Sequence, residues 1–133
     1  MAELKAAFEG SDGERLINVD ADTTVASKDL FQYLEVEPGF RVAYVMDHAA
    51  TETNFERIRG LCEHADEVYI EAYYSLDDAE MALKNKHSMA GMSGKVLREA
   101  GVKKAVPIHF SRRYQDPEGQ AKLLSEFAEA FEG

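Results

Sequence analysis

Three short apolar runs, each followed by a stretch with helical spacing, constrain this chain more than any other feature. "FRVAYVM" (40–46), "EVYIEAYY" (67–74) and "KKAVPIHF" (103–110) are rich in β-branched and aromatic residues and too short for buried helices, so they read as strands. Helical spacing follows in "TNFERIRGLCEHA" (53–65), with an apolar stripe through Phe55, Ile58, Leu61, Cys62 and Ala65. It recurs in "SMAGMSGKVLREAG" (88–101), despite Gly91 and Gly94, and in a C-terminal stretch that places Leu123, Leu124, Phe127 and Phe131 on one face. This alternation predicts an α/β layer architecture with a largely parallel sheet, whose ligands bind beyond the carboxyl ends of the strands. The first run is apolar at nearly every position, which predicts a strand covered on both sides.

Finer punctuation fills in the rest. "ERLINVDAD" (14–22) alternates like a short strand, and "SKDLFQYL" (27–34) has the spacing of a short helix capped by Ser27. Glu37, Pro38 and Gly39 make a turn. Thr53 and Glu56 are spaced as a capping box, Gly101 closes the helix before the third run, and a turn at Asp116 and Pro117 precedes the last helix. "SLDDAEMALKNK" (75–86) is a polar connection with partial helical character.

Composition narrows the class. At 133 residues the chain is most simply a single domain, or a fragment of one, and needs no disulfide to have a core. The only cysteine, Cys62, sits on an apolar stripe and reads as a small core residue, which predicts a reducing cytoplasm. No stretch approaches the ~20 apolar residues of a membrane span, and the N-terminus lacks a basic segment followed by an apolar one, so neither a membrane nor a leader is expected. Twenty-five Asp and Glu against fifteen Lys and Arg give a net charge of −10, which repels polyanions at long range. Any contact with nucleic acid must then be local, at the cluster of Lys103, Lys104, Arg112 and Arg113.

Polar groups at strand ends are the candidate site. Asp47 follows the first run, Glu71 lies in the second, His109 lies near the end of the third, and His87 precedes a helix. Imidazole and carboxylate donors converging from separate strands suit zinc or manganese. The stretch "VPIHFSRRY" (106–114) adds Ser111, Arg112, Arg113 and Tyr114, groups able to hold phosphate oxygens. Of the remaining histidines, His48 reads as an exposed loop residue and His64 as a helix-end residue favoured by the dipole. On these residues alone a small non-catalytic α/β binding or interaction module stays open, with Asp47 at a strand end and Lys104 and Pro107 in the last strand.

The run "VAYVMDHAATETNFERIRGLCEHADEVYIEAYY…KHSMAGMSGKVLREAGVKKAVPIHFSRRY" resembles the C-terminal half of ribonuclease Z-like proteins of the metallo-β-lactamase fold. In that family a strand ends in a metal-bridging Asp, and a later strand carries Glu followed by Ala. A His-Ser or His-Leu-Thr segment opens a helix, and a final strand ends in His-Phe-Ser-x-Arg-Tyr. The resemblance covers residues 40–114. It implies half of an αββα sandwich and a metal-dependent hydrolase of phosphodiesters such as RNA, or of similar esters, working through metal-activated water. It implies two zinc ions per complete site, or manganese, with Asp47 bridging both and His109 a terminal ligand. His87 becomes a proton donor oriented by Glu71, and Ser111, Arg112, Arg113 and Tyr114 lie near the phosphate.

The chain also departs from the family. His48, His64, His87 and His109 are its only histidines, and none is spaced to supply the family's His-x-His-x-Asp-His motif. Met46, Asp47 and His48 stand where Gly-Asp-Thr is usual, and Arg112 replaces the Pro of Ser-Pro-Arg-Tyr. The expectation is therefore a C-terminal part with only a partial metal site, inactive alone, which self-associates or pairs with a missing N-terminal half.

Overall fold

A computed structural model describes all of residues 1–133, and the chain divides into two compact units, Met1–Gly39 and Phe40–Gly133. The first holds helix α1 (Ala2–Glu9), strands β1 (Leu16–Asn18) and β2 (Thr24–Ala26), and helix α2 (Ser27–Phe31). The strand expected over 14–22 is only one arm of an antiparallel hairpin. The Asp22 N–H donates to the Asp20 carboxylate at 2.9 Å, which turns the chain so that Asn18 pairs with Thr24. Ser27 does not cap α2 but is its first residue, and its buried hydroxyl donates to the Asp12 carbonyl.

The second unit contains β3 (Val42–Val45), α3 (Glu52–Cys62), β4 (Glu67–Glu71), α4 (Ala79–Asn85), α5 (Ala90–Glu99), β5 (Lys104–Ile108) and α6 (Pro117–Glu132). Its sheet is parallel in the order β3-β4-β5, with Val45 opposite Ile70 and Glu71 opposite Ile108. Val45, Val68 and Ile70 pack with Phe55, Ile58 and Cys62 of α3, Val96 and Leu97 of α5, and Leu123 and Phe127 of α6. Because alternate residues of a strand face opposite ways, one layer of helices covers only one face of this sheet. On the other face Val42 is 56% and Tyr44 66% exposed, so β3 is not covered on both sides as its apolar run predicted. Helices on one side of a parallel sheet, with an open second face, are consistent with half of an αββα sandwich of the metallo-β-lactamase type.

Local details correct the caps. Thr51, not Thr53, caps α3, accepting the Asn54 N–H at 3.3 Å, and Leu61 of the expected stripe points outward. The turn expected at Asp116 and Pro117 is the start of α6, with Asp116 its cap and Pro117 its first helical residue. The long polar connection is a 3₁₀ turn at Leu76–Asp78 followed by α4. No helix is long and apolar enough to cross a membrane.

Gly94 explains why a helix that carries internal glycines is kept. A Cβ there would press into the Phe127 carbonyl oxygen of α6, a backbone atom that cannot step aside. Gly94→Ala is expected to destabilise the fold by about 1–3 kcal/mol, the usual cost of overpacking. Urea denaturation followed by circular dichroism measures it; an unchanged midpoint would mean that α5 and α6 are not held at glycine distance.

Candidate metal centre

The carboxyl edge of the sheet is shaped by two strained residues. Asp47, two positions beyond β3, and His109, directly after β5, adopt left-handed backbone with φ of 50° and 56°. Side chains other than glycine and asparagine resist this region, at a cost of about 1–3 kcal/mol each, and such residues gather at functional sites. Both turns lie beside the end of the central strand β4, whose last residue is Glu71.

Glu71 is completely buried and joins the four candidates. Its Oε1 accepts the Ser88 N–H at 2.7 Å. Its Oε2 accepts the Asp47 N–H at 3.1 Å and lies 3.0 Å from His87 Nδ1 and 2.9 Å from His109 Nδ1. A carboxylate only accepts, so this network assigns a proton to Nδ1 of both rings and leaves each Nε2 free. The Asp47 carboxylate, 72% exposed, stands 3.9 Å from His87 Nδ1 and 3.8 Å from His109 Nδ1.

His87 reaches this edge because its segment is tied to the chain beyond β4. The Tyr74 N–H donates to the Ser88 carbonyl at 3.1 Å, and the Ala90 N–H donates to the Tyr74 carbonyl at 2.8 Å. Sequence reading missed three supporting residues. The Tyr73 ring stacks on His87 at 3.9 Å between centroids and meets His109 edge-on at 5.0 Å. Ser93, buried, donates to the Glu71 carbonyl at 2.6 Å, and its hydroxyl lies 2.9 Å from that of Ser88, also buried. Tyr73 was hidden in an aromatic strand run and the serines in a helix start; only a polar pair at a helix entry hinted at them.

His48 overturns its expected exposure. It is 8% exposed, its ring meets Phe55 edge-on at 6.3 Å, and neither ring nitrogen has a partner. Burial holds its imidazole below the ordinary range, against the opposing pull of the Glu71 carboxylate. His64 is exposed and lies outside the cluster.

The anion-friendly stretch is a 3₁₀ turn, Arg112–Tyr114, largely engaged in holding the fold. Ser111 is buried and accepts the Arg113 N–H at 3.3 Å. The Tyr114 hydroxyl accepts the Ser75 N–H at 3.0 Å and donates to Asp78; burial, then this bond, pushes it up to about 12. Arg113 Nε pairs with Asp78 at 3.2 Å, while Arg112 is exposed and makes no ion pair. The expected basic cluster is split. Lys103 and Lys104 pair with Asp66 at 2.6 Å and Glu67 at 2.9 Å at the start of β5, the opposite end from His109.

Asp47, Glu71, His87 and His109 each offer one ligand atom, all within 4.8 Å of one another. Two imidazoles and two carboxylates are donors that suit zinc, and manganese less closely, so the residues present fit a divalent ion. The unpartnered nitrogens of His48 beside them are a further sign of polar chemistry not completed within the chain.

No family model matches the chain. Among curated proteins it is 33% identical over 118 residues to ribonuclease Z of Streptomyces coelicolor, an alignment covering 89% of this chain and 38% of that protein. It is 36% identical over 105 residues to ribonuclease Z of Thermobifida fusca, covering 79% and 31%. With ribonuclease Z of Deinococcus radiodurans the identity is 27% over 123 residues, covering 92% and 35%. The chain spans about a third of the length of these relatives. Over that third, carrying the Asp, Glu and two His that meet at its sheet edge, the chain is a ribonuclease Z-like protein.

Proposed function

We propose that residues 1–133 are the C-terminal part of a metallo-β-lactamase-like domain and supply one side of a metal-dependent phosphodiesterase site acting on RNA or similar esters. The observation that carries this reading is the convergence of Asp47, Glu71, His87 and His109 at one sheet edge around a shared, buried carboxylate. In the completed site Asp47 and His109 would hold the metal, His109 through its free Nε2 while its Nδ1–H stays on Glu71. When bound, zinc or manganese lowers the pKa of water toward neutrality and offsets charge on the phosphoryl oxygens. Glu71 orients His87 through Nδ1. The protonated ring then presents its Nε2–H to the departing sugar oxygen, which would otherwise leave as a costly alkoxide. Arg112 is the member of the 111–114 turn left free to meet a phosphate, while Ser111, Arg113 and Tyr114 hold the turn in shape.

Asp47 and His109 are only part of a two-ion ligand set, so the chain is inactive alone in this reading. The open face carrying Val42 and Tyr44 is then covered by a complementing N-terminal half or by self-association, in a reducing cytoplasm that keeps Cys62 free. The same open face favours a second reading, a non-catalytic interaction module. Fusing the chain to the N-terminal two thirds of the Streptomyces coelicolor relative decides between them. The expected result is metal-dependent cleavage of RNA that Asp47→Ala abolishes. A folded, metal-loaded fusion without turnover would leave only the interaction module.

A further inference from the structure

Two of the four converging residues, Glu71 and His87, have no ligand role in the two-ion reading, yet their atoms are placed as ligands would be. Four atoms about 2.0–2.1 Å from a tetrahedral zinc lie about 3.3 Å from one another. Here Glu71 Oε2 is 3.0 Å from His87 Nδ1 and 2.9 Å from His109 Nδ1, and Asp47 Oδ1 is 3.9 Å and 3.8 Å from the same nitrogens. These four edges straddle the tetrahedral value, and the four residues each offer one ligand atom within 4.8 Å of the others.

We propose that this chain, without any completing half, holds a single zinc-class divalent cation in a closed four-donor site made of Asp47 Oδ1, Glu71 Oε2, His87 Nδ1 and His109 Nδ1. The inference rests on the functional reading for the kind of metal and for Asp47 and His109 as ligands; it differs in the number of ions, in adding Glu71 and His87 as ligands and in which nitrogen of His109 binds.

Charge and support both favour the arrangement. Two carboxylates and two neutral imidazoles balance a dication, so no net charge is left beside the buried Glu71. The supports that a ligand set needs are already built. Glu71 is anchored through Oε1 by the Ser88 N–H at 2.7 Å, leaving Oε2 facing both imidazoles. Tyr73 stacks flat on His87, with 8° between the rings, and fixes its plane. Asp47 is the mobile member; its exposed carboxylate can swing inward by a few tenths of an ångström and leaves an entry path. The ion takes the place of the two Nδ1 protons that now bridge to Glu71. Each ring changes tautomer to Nε2–H, so no net proton is lost from a neutral imidazole. A site closed in this way has no open position for water and no free His87, which makes it a resting state that the two-ion arrangement has to displace.

Titrating the 133-residue chain with zinc by calorimetry, and with cobalt(II) as a visible-spectrum probe, tests this. The expected results are one ion per chain, the intense visible absorption of four-coordinate cobalt, and long-range proton–nitrogen NMR correlations that put the metal on Nδ1 of His87 and His109. Glu71→Gln and His87→Ala should each weaken binding by more than about 100-fold, beyond the ~10–100-fold typical of outer-sphere partners. No zinc binding at millimolar concentration, a pale six-coordinate cobalt spectrum, or metal on Nε2 with Glu71→Gln binding as tightly as the parent would each overturn the inference. The nitrogen assignment is read on the unsubstituted chain, so it decides even where Glu71→Gln unfolds. None of these outcomes touches the two-ion reading, which stands or falls on turnover by the fusion.

Discussion

Glu71→Ala should be the most damaging single substitution in the chain, costing about 3–5 kcal/mol of folding stability, the range for breaking a buried charged network by removing one partner. Glu71 is wholly buried and takes four hydrogen bonds through its carboxylate: from the N–H groups of Asp47 and Ser88 and from the Nδ1 atoms of His87 and His109. Removing it orphans two buried-edge amides and two imidazoles together and leaves a cavity among them. A loss of this size is a large part of the stability of a small domain, so partial unfolding at room temperature is expected. Urea denaturation monitored by circular dichroism gives the number. A loss under about 1 kcal/mol would mean that water replaces the carboxylate and that Glu71 does not organise this edge.

His87→Ala should separate catalysis from architecture in the fusion that completes the site. The chemical step is expected to fall by about 10²-fold or more, the loss typical of a positioned general acid, while the two-ion metal content stays near that of the parent. His109→Ala should instead lose metal, because in the two-ion reading His109, directly after β5, is a ligand while His87, on the loop before α5, is not. Single-turnover rates and elemental analysis of the dialysed protein provide the two readouts. Full turnover by His87→Ala on a phosphodiester with a poor leaving group would remove the acid role and leave His87 a ligand or a support.

Most of the second unit was legible from local pattern. Strands β3, β4 and β5 and helices α3, α5 and α6 follow from side-chain periods of two and about 3.6, which depend only on neighbours a few positions away. For the same reason Asp116 and Pro117 announced the start of α6. The candidates Asp47, Glu71 and His109 were legible as polar residues in or after strands and His87 as one before a helix, but that they meet was not. Glu71 is 24 positions from Asp47 and 38 from His109 along the chain, and only the parallel order β3-β4-β5 brings those ends together. That a single carboxylate serves both histidines, that Tyr73 stacks on one of them, that His48 is buried without a partner, and that Tyr114 and Arg113 both engage Asp78 all depend on packing between distant segments. Burial itself was misread at β3 for this reason. A strand's own residues give its alternation, but whether a second layer covers its other face is decided by the rest of the fold, and here Val42 and Tyr44 remain open.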